Sequence, residues 1–367
     1  MARLPAGVRR TSSGLLEKRF TIDGIRYSVY GKTTQEIADK EKAKRELIAK
    51  GSYTDNSKLT VDKYFSEWVD ARREHVKGTT LRLYKSLYKN HIKQYIGNKK
   101  LVRLERRELV KLQNDIKAGA GASVANESLK VVKAMLNDAV KDEIITRNPA
   151  LGIKNLKKET KASDTIHRAL TEQEQATFMQ EMRESYYYNL VAFQLCTGLR
   201  IGEACALTWG DIDEVNKVIH IKKTTTFTED GKRDIGTTKT EAGTRDIPIN
   251  DTIKQILSNQ KKDNNILPFT TNYIFITPYG VRVYDYIVNK EIKNTLQRLE
   301  DKGEHIEHFT CHALRDTFAT RYIEQGGSMQ TLKTLLGHSS LSMTMDLYAH
   351  VLPNTKAEEM ARLVINI

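Results

Sequence analysis

Long apolar segments and paired cysteines are both missing from this sequence of 367 residues. No apolar run approaches the roughly 20 residues that a membrane-spanning helix requires, and the N-terminus lacks the apolar region of a secretory signal peptide. Three cysteines, Cys196, Cys205 and Cys311, form an odd and sparse set that does not make a disulfide framework. We therefore expect a cytoplasmic protein without membrane contact.

Sequence fingerprints for bound nucleotides are missing as well. There is no P-loop and no glycine-rich dinucleotide-binding motif, and we find neither an internal repeat nor a low-complexity tract. The sequence therefore shows neither of these two signatures of a nucleotide-binding protein.

The positive charge of the chain is concentrated in its first half. Residues 1–160 contain 35 Lys and Arg against 19 Asp and Glu, a net charge of +16, whereas residues 161–367 contain 24 against 27, a net charge of −3. A basic half is typical of proteins that bind the phosphate backbone of a nucleic acid. The alternative is a merely solvated surface, and the asymmetry favours nucleic acid.

At ordinary domain sizes, a chain of this length holds two or three domains. The hydrophobic patterns predict a multidomain α+β fold. We expect a small module of β-sheet and one helix at residues 1–55, an all-α bundle at residues 56–155, and a mixed, mainly helical domain with a β-hairpin at residues 165–367. The lysine-rich stretch at residues 152–167 is interpreted as a linker.

The N-terminal module has the signature of a β-hairpin. Asp23-Gly24 lies between two runs of alternating apolar and polar residues, as is typical of a two-residue turn. The expected elements are strands at residues 15–22 and 25–30, a helix at residues 34–50 that Gly51 closes, and a flexible arm at residues 1–13. This module could be an accessory DNA-binding domain or a small folded cap without a ligand.

The bundle is predicted from apolar side chains at helical spacing. One stripe comprises Val61, Tyr64, Phe65, Trp68 and Val69, and a second comprises Tyr84, Leu87, Tyr88 and Ile92. Further helices are expected at residues 105–118 and 124–140 around a loop at residues 120–123, with Val131, Ala134, Met135 and Ala139 inward and Asn148-Pro149 at the end. Basic and threonine side chains cluster at one helix start: Lys77, Thr79, Thr80, Arg82 and Lys85. Such a cluster suits a DNA phosphate.

The C-terminal domain is predicted to begin with a helix that opens at a capping box, Thr171 to Glu174. The other expected helices lie at residues 187–197, 253–260, 286–299, 313–325, 329–336 and 354–367, and the expected strands at residues 218–226 and 246–249, with a turn at residues 229–231 between them.

Arg200 is the first candidate for binding an anion. It lies in the stretch TGLRIGEACALTW, where Gly198 ends one helix and another begins at once. A helix N-terminus favours an anion, and a guanidinium there can hold a phosphate through two hydrogen bonds. Glu203, one turn further on, is expected to hold the loop or the arginine. The alternative is an ordinary surface pair.

Lys239 is a candidate proton donor. In the stretch TKTEAGTRDIPI it is expected on a β-turn just before a strand, from which a lysine could reach and protonate a leaving oxygen. The alternative is a solvated lysine at a turn.

Four further side chains near the C-terminus could carry chemistry. His312 and Arg315 are spaced to share one helical face, and His338 follows a glycine at a helix end. Tyr348 comes ten residues later and offers a phenol as nucleophile. Together they suit phosphoryl transfer in which the protein itself attacks.

A zinc site is the competing interpretation of part of this stretch. Its four possible ligands are His305, His308, Cys311 and His312. No second ligand cluster lies nearby in the sequence, so we expect no metal.

Five motifs, TGLRIGEACALTW, TKTEAGTRDIPI, HALRDTFAT, LGHSS and LYAH, resemble in order and spacing those of the tyrosine recombinase, or phage integrase, family. The motifs are similar to those of integrases from temperate phages and from conjugative transposons of Gram-positive bacteria. The resemblance covers essentially the whole chain and implies an arm-type DNA-binding module, a helical core-binding (SAM-like) domain and a catalytic domain. Asp316 departs from the family, because many members have a histidine there.

The resemblance implies a mechanism. Tyr348 attacks a DNA phosphodiester and forms a 3′-phosphotyrosine and a free 5′-hydroxyl, while Arg200, Arg315 and His338 stabilise the transition state. Lys239 protonates the leaving oxygen and His312 assists proton transfer. No cofactor is implied. The implied partners are double-stranded DNA attachment sites, three further copies in a homo-tetramer, and a directionality factor or host DNA-bending protein, on the bacterial nucleoid.

Two other functions compete with that of a recombinase. A type IB topoisomerase uses the same kind of site, but the arm-like module and the tail after Tyr348 favour a recombinase. A catalytically inactive DNA-binding derivative would have lost part of the catalytic set, which is complete here. The tail itself is expected to start a new amphipathic helix after Pro353, docked either on its own domain or on a neighbouring protomer.

Overall fold

The computed structural model describes residues 4–11, 14–49, 56–157, 168–238 and 240–345. Its contacts divide the chain into two compact units. The first comprises Met1–Glu74 and Tyr84–Lys158, and the second comprises His75–Leu83 and Glu159–Ile367. The segment His75–Leu83 therefore belongs with the C-terminal residues, although the sequence places it inside the helical bundle.

A three-stranded antiparallel sheet and one helix form the N-terminal part of the first unit. They are β1 (Val8–Arg10), β2 (Leu16–Ile22), β3 (Ile25–Gly31) and α1 (Thr34–Ala49). Asp23 and Gly24 have positive φ angles of 50° and 77° between the paired Ile22 and Ile25, so the predicted two-residue hairpin is confirmed. Ile37 of α1 is buried against the sheet.

The expectation of a flexible arm at residues 1–13 is wrong for β1, which pairs with β2. Arg9 forms an ion pair with the buried Glu17 of β2, and Arg19 donates to the same carboxylate over 2.9 Å. A three-residue strand with two arginines has no hydrophobic period, which is why the sequence did not reveal it. Gly51 lies outside the described residues.

The helical part of the first unit contains α2 (Val61–Ala71), the end of α3 (Gly78–Leu87), a π-helical turn (Tyr88–Ile92), α4 (Lys93–Ile96) and α5 (Arg106–Lys141). The first predicted stripe is buried throughout, and the second is buried apart from the half-buried Tyr84. Phe65 stacks on Tyr88 with ring centroids 3.6 Å apart, and Trp68 Nε1 donates to Asp138 of α5 over 2.8 Å. These contacts join α2 to the rest of the bundle.

Helix α5 replaces the two helices and the loop that the sequence predicts. Only Gly121, with φ of 85° and ψ of 164°, departs from helical geometry within it. The predicted loop at residues 120–123 is therefore a kink at one glycine, because the alanines beside it are good helix formers. Val131, Met135 and Ala139 are buried as expected.

The chain does not leave the bundle at Asn148-Pro149. Lys133 Nζ donates to Ile153 O over 2.7 Å, and Asn126 exchanges two hydrogen bonds of 2.9 Å with the main chain of Leu156. The first residues of the predicted linker are therefore part of the first unit.

The second unit is mainly helical. Its helices are α6 (Glu172–Met182), α7 (Tyr188–Thr197), α8 (Ile201–Ala204), α9 (Asp251–Ile266), α10 (Asp285–Asp301), α11 (Cys311–Glu324) and α12 (Met329–Leu336). The predicted capping box is present, since the side chains of Thr171 and Glu174 each accept from the other's backbone N–H. Helix α7 is almost entirely buried and packs against α9 and α11, which places the core around it.

Two small sheets complete the second unit. Strands β4 (Ile212–Asp213), β5 (Val218–Ile221) and β8 (Arg245–Pro248) form one, and β6 (Lys223–Phe227) and β7 (Arg233–Thr237) form the other. The single strand predicted at residues 218–226 is therefore two strands in different sheets. Strand β7 was not predicted, because β6 and β7 are largely polar and half-exposed and show no alternation.

The helix predicted at residues 354–367 and its preceding Pro353 lie outside the described residues. Among the described residues, no helix is both long enough and apolar enough to cross a membrane.

Candidate active site

Arg200 lies at the junction of α7 and α8. Gly198 ends α7 with a left-handed φ of 63°, and Arg200 is the residue that precedes the first turn of α8. Glu203 accepts from the Arg200 backbone N–H with one oxygen and from Arg200 Nη1 with the other, both over 3.0 Å. Because Glu203 is only 2% exposed, this is a buried anchor and not an ordinary surface pair.

Arg315 is buried on α11, with 3% of its surface exposed. Its Nη1 donates to Gly198 O over 2.8 Å and its Nη2 donates to Leu336 O over 2.7 Å. One guanidinium therefore connects the C-terminal ends of α7 and α12.

The two arginines meet at the end of α12. Arg200 Nη1 and Nη2 each lie 3.5 Å from a carbonyl oxygen, that of Leu336 and that of Gly337 respectively, and Arg315 contacts the same Leu336 oxygen. Glu203 holds Arg200 Nη1 over 3.0 Å, whereas the contact of Nη2 with Gly337 O is long for a hydrogen bond, so Nη2 is the donor that can turn toward a better acceptor.

His338 follows immediately in the chain. Gly337 ends α12 in the left-handed conformation, with φ of 65°, as the sequence predicts for a helix end with glycine. The half-buried imidazole has Nδ1 3.0 Å from Oγ1 of the buried Thr344. The structure therefore brings together three of the predicted residues, Arg200, Arg315 and His338.

Arg245 is a third arginine of this cluster, and it was not predicted. It lies on β8, is 7% exposed, and donates from Nη2 to Glu203 over 2.9 Å and from Nε to Leu335 O over 2.6 Å. The signal was present in TKTEAGTRDIPI, because Arg245 alternates with the buried Ile247 and therefore points inward. Arginine is rarely buried without a partner, and that partner is Glu203.

The charges of this cluster depend on one another. Burial alone would raise the pKa of Glu203, but hydrogen bonds from Arg245 and the charges of Arg200 and Arg315 hold it below its ordinary value. Burial, together with the neighbouring Arg200, lowers the pKa of Arg315 to about 9, so this side chain is still a cation at neutral pH. The cluster contains three guanidinium groups, whereas two carboxylates, those of Glu203 and Asp316, act on Arg315. This excess of cations leaves net positive charge for an anionic ligand.

His312 is the second residue of α11 and is exposed. The buried Gln194 positions the start of this helix, because its Nε2 donates to Cys311 O over 2.9 Å and to Leu199 O over 3.2 Å. One side chain therefore ties the residue before His312 to the residue before Arg200. Sequence reasoning did not single out Gln194, whose role depends on a contact between distant parts of the chain.

Lys239 and Tyr348 lie outside the described residues. Next to Lys239, however, the hydroxyl of the buried Thr238 donates to Thr240 O over 3.1 Å. The Thr238 side chain thereby bonds to the main chain of the residue that follows Lys239.

The structure does not assemble the alternative zinc ligands. His305 Nδ1 lies 2.7 Å from Glu300, and burial raises the pKa of the Cys311 thiol to about 12, which disfavours the thiolate that zinc requires. Over the part of the chain that the structure describes, no group of three or more His, Cys, Asp or Glu side chains could hold a metal ion.

The predicted DNA-binding residues Lys77, Thr79, Thr80, Arg82 and Lys85 do lie at a helix start, since α3 begins at Gly78. Two of them also contact the β6–β7 hairpin. Lys77 Nζ donates to Thr238 O over 2.8 Å, and the Arg82 guanidinium lies over the Phe227 ring, 4.6 Å from its centroid.

Comparison with known protein families agrees with this architecture. A model described as the phage integrase family matches residues 168–355, which is just over half of the chain. The chain belongs to the phage integrase family. A second model, the N-terminal SAM-like domain of phage integrases, matches residues 60–117. The family that the sequence motifs resemble is thereby confirmed, and the chain is a tyrosine recombinase of the integrase type.

Similar integrase-family proteins occur in several bacteria. The chain is 26% identical to a XerC-like tyrosine recombinase of Caldanaerobacter subterraneus over 92% of its own length and 91% of that protein. It is 28% identical to the ICEBs1 integrase of Bacillus subtilis, over 76% of this chain and 75% of that integrase. It is 27% identical to the transposase of Tn916 from Enterococcus faecalis, over 67% of this chain and 62% of that transposase.

Solved integrase structures share the fold. The Tn1549 transposon integrase in complex with a circular intermediate DNA is 24% identical, with a TM-score of 0.71 over 83% of this chain and 99% of that one. A lambda integrase tetramer bound to a Holliday junction is 19% identical, with a TM-score of 0.59 over 95% of this chain and 96% of that one. The mixed, mainly helical fold expected from the sequence is confirmed.

Proposed function

We propose that this integrase inserts and excises a mobile genetic element by cutting and rejoining DNA at specific attachment sites. The proposed catalytic residues are Arg200, Lys239, His312, Arg315, His338 and Tyr348, with Tyr348 as the nucleophile. Similar proteins are named as an integrase and a transposase of mobile elements. These names support the proposal that the DNA substrate belongs to a mobile element.

The convergence of Arg200 and Arg315 at the end of α12 carries this proposal. Arg315 is fixed by hydrogen bonds of 2.7 and 2.8 Å, whereas Arg200 makes only 3.5 Å contacts with the same helix end. A phosphate oxygen is a stronger acceptor for a guanidinium than a carbonyl oxygen, so Arg200 gains by turning to a DNA phosphate. His338, next in the chain, is well placed to add a donor.

The proposed reaction balances without a cofactor. The phenol oxygen of Tyr348 attacks phosphorus and passes its proton to His312, and the bond from phosphorus to the 5′ oxygen breaks. The 5′ oxygen takes a proton from the Lys239 ammonium. The extra negative charge of the pentacoordinate transition state is met by Arg200, Arg315 and His338. A 5′-hydroxyl of the second duplex then attacks the phosphotyrosine and releases Tyr348.

The same proposal assigns roles to the rest of the chain. We assign residues 1–55 to arm-type DNA, residues 56–155 to the core site, with Thr79, Thr80, Arg82 and Lys85 on phosphates, and residues 165–367 to catalysis. The net charge of +16 on residues 1–160 supports this assignment. Four protomers on two duplexes, in the cytoplasm, are proposed by analogy with the lambda integrase tetramer, together with a directionality factor or a host DNA-bending protein.

A covalent-trapping assay tests the reaction. The substrate is a duplex from the DNA that flanks the coding sequence, nicked so that the released fragment diffuses away and the phosphotyrosine accumulates. Wild type is expected to give a shifted band on a denaturing gel, and Tyr348→Phe to bind DNA without forming it. Tyr322→Phe is the matched control, because Tyr322 packs against the α11–α12 cluster.

A second assay separates the recombinase from its rivals. Two labelled duplexes are expected to exchange strands in the presence of the wild-type chain. Relaxation of supercoils without exchange would assign the chain to topoisomerases, and binding without any covalent adduct would make it an inactive derivative.

A further inference from the structure

The start of α3 is joined to the hairpin strand that leads to Lys239. Lys77 Nζ donates to Thr238 O over 2.8 Å and to Thr237 O over 3.2 Å, and the Thr237 hydroxyl is a third, longer contact at 3.4 Å. An ammonium has three donors, and three acceptors of the hairpin occupy them. Lys77 therefore cannot take up a DNA phosphate without releasing part of this strand.

The other strand of the hairpin is held by the same segment. The guanidinium groups of Arg82 and Arg233 both lie over the ring of Phe227, at the end of β6, 4.6 Å and 5.1 Å from its centroid. A side chain at Gly78 would come within 3.0 Å of the Phe227 carbonyl oxygen, so the backbone of α3 lies directly against β6. The residues from Lys77 to Arg82 thus contact both strands, β6 and β7.

Thr238 is also held by residues further along the chain. Thr238 is buried, its hydroxyl donates to Thr240 O over 3.1 Å, and it lies 3.2 Å from the Thr244 hydroxyl. A Cβ at Gly243 would approach Thr238 to 2.7 Å, so only glycine fits there without displacement. Lys77 therefore restrains the two residues that immediately precede Lys239 in the chain.

We propose that Lys77 is a positioning residue for protonation of the leaving group. By binding the main chain of Thr237 and Thr238, it sets the place from which Lys239 reaches the 5′ oxygen. This inference rests on the proposed function, in which Lys239 is the proton donor. Lys77 would then support the hairpin that leads to Lys239, instead of contacting a phosphate as the sequence predicts. The start of α3 would thereby contribute to protonation of the leaving 5′ oxygen.

The test compares two leaving groups. In the second substrate, sulfur replaces the bridging 5′ oxygen at the cleaved phosphate. A thiolate is a far weaker base than an alkoxide, so the sulfur departs without a proton. Single-turnover cleavage by the full-length chain is measured on both substrates at saturating protein, so that differences in DNA affinity do not contribute.

Lys77→Met keeps the length of the side chain and removes its donors. It is expected to slow cleavage of the oxygen substrate by roughly tenfold to 100-fold, a part of the ~10²–10⁴ that general acid catalysis supplies, and to cleave the sulfur substrate at the wild-type rate. Lys77→Arg, which still donates, is expected to recover part of the loss. Lys232→Met is the matched control, because Lys232 is an exposed lysine of the same hairpin paired with Asp230.

Lys239→Met separates the two proposals. If sulfur does not restore its cleavage, Lys239 is not the acid and the proposed function fails at that residue. If sulfur restores Lys239→Met, two results for Lys77→Met overturn the present inference. One is a wild-type rate on the oxygen substrate, and the other is an equal loss on both substrates, as a general structural defect would cause.

Discussion

Glu203 carries a negative charge inside a group of three arginines. Its two oxygens receive hydrogen bonds from Arg200 and Arg245, and it is almost fully buried. Removing one partner of a buried ion pair leaves the other charge uncompensated in a poorly solvated place. The orientation of Arg200 and the stability of the second unit should therefore depend on the same carboxylate.

Glu203→Gln is expected to lower the free energy of unfolding of the second unit by about 3–5 kcal/mol, the usual cost of breaking a buried pair. Urea denaturation of the full-length protein, followed at neutral pH, measures this loss. Glu214→Gln, which changes an exposed carboxylate of the same unit, should stay within about 0.5 kcal/mol of wild type. A Glu203→Gln variant as stable as Glu214→Gln would show that the pair contributes nothing net.

The stability that Glu203 contributes should decrease on acidification. Because the pKa of Glu203 in the folded protein lies below its ordinary value of 4.5, its contribution is complete above about pH 4.5 and disappears as the pH falls through the folded pKa. The difference between wild type and Glu203→Gln should therefore be constant from pH 7 to pH 5 and narrow below that. Thermal unfolding across this range checks it, and a difference that grows on acidification would contradict the assignment.

Single residues also show what the sequence could and could not reveal. Arg200, Glu203, Arg315 and His338 occupy the places that their motifs predict, because each is positioned by a local signal such as a glycine helix end or a shared helical face. Arg245 and Gln194 act through partners 42 and 117 residues away in the chain. Such roles require the tertiary fold, which no local pattern contains.

At the scale of elements, the junction of α7 and α8 has no room for a side chain at Gly198. A Cβ there would lie 2.3 Å from the Phe318 ring of α11 and 3.0 Å from Leu336 of α12, and φ is 63°. The absence of a side chain lets α7, α11 and α12 approach at the point where Arg315 bonds to the Gly198 carbonyl. This close approach brings Arg200 and Arg315, the two arginines proposed to be catalytic, to one helix end.

Gly198→Ala is expected to destabilise the protein by about 2–5 kcal/mol, the sum of about 1–2 for left-handed geometry and about 1–3 for overpacking. DNA cleavage should fall with it, since Arg315 loses its alignment. Gly303→Ala is the control, because Gly303 has a similar positive φ of 83° but nothing within 4 Å of the added carbon. Denaturation curves that coincide for the two variants would show that close packing at Gly198 contributes no stability.

How well the sequence predicts an element depends on whether one face of that element is buried. The amphipathic helices α2 and α12 were predicted to within a few residues, because burial imposes a period of 3.6. Strands β1, β6 and β7 were missed or merged, because short polar strands have no buried face to impose a period of two. The kink at Gly121 was expected as a loop, since glycine signals a break but not its length.

At the scale of the whole molecule, charge separates the proposed DNA-binding residues from the catalytic ones. Residues 1–160 carry +16 and residues 161–367 carry −3. A fragment of residues 165–367 is therefore expected to bind attachment-site DNA weakly, and its affinity should fall less steeply with salt than that of the full chain. Fluorescence anisotropy between 50 and 300 mM salt compares the two slopes. Equal affinity and equal slope would place the DNA contacts in the acidic part.

In the proposed reaction, Tyr348 becomes joined to DNA at a phosphate held by Arg200 and Arg315. Mass spectrometry of the trapped adduct, after digestion with trypsin and nuclease, tests it most directly. Tyr348 is the only tyrosine of the expected tryptic peptide at residues 334–356, and Tyr322 begins the neighbouring peptide at residues 322–333. We expect a nucleotide phosphate on the peptide of residues 334–356, located on Tyr348. A nucleotide phosphate on Tyr322, or on any residue of another peptide, would contradict it.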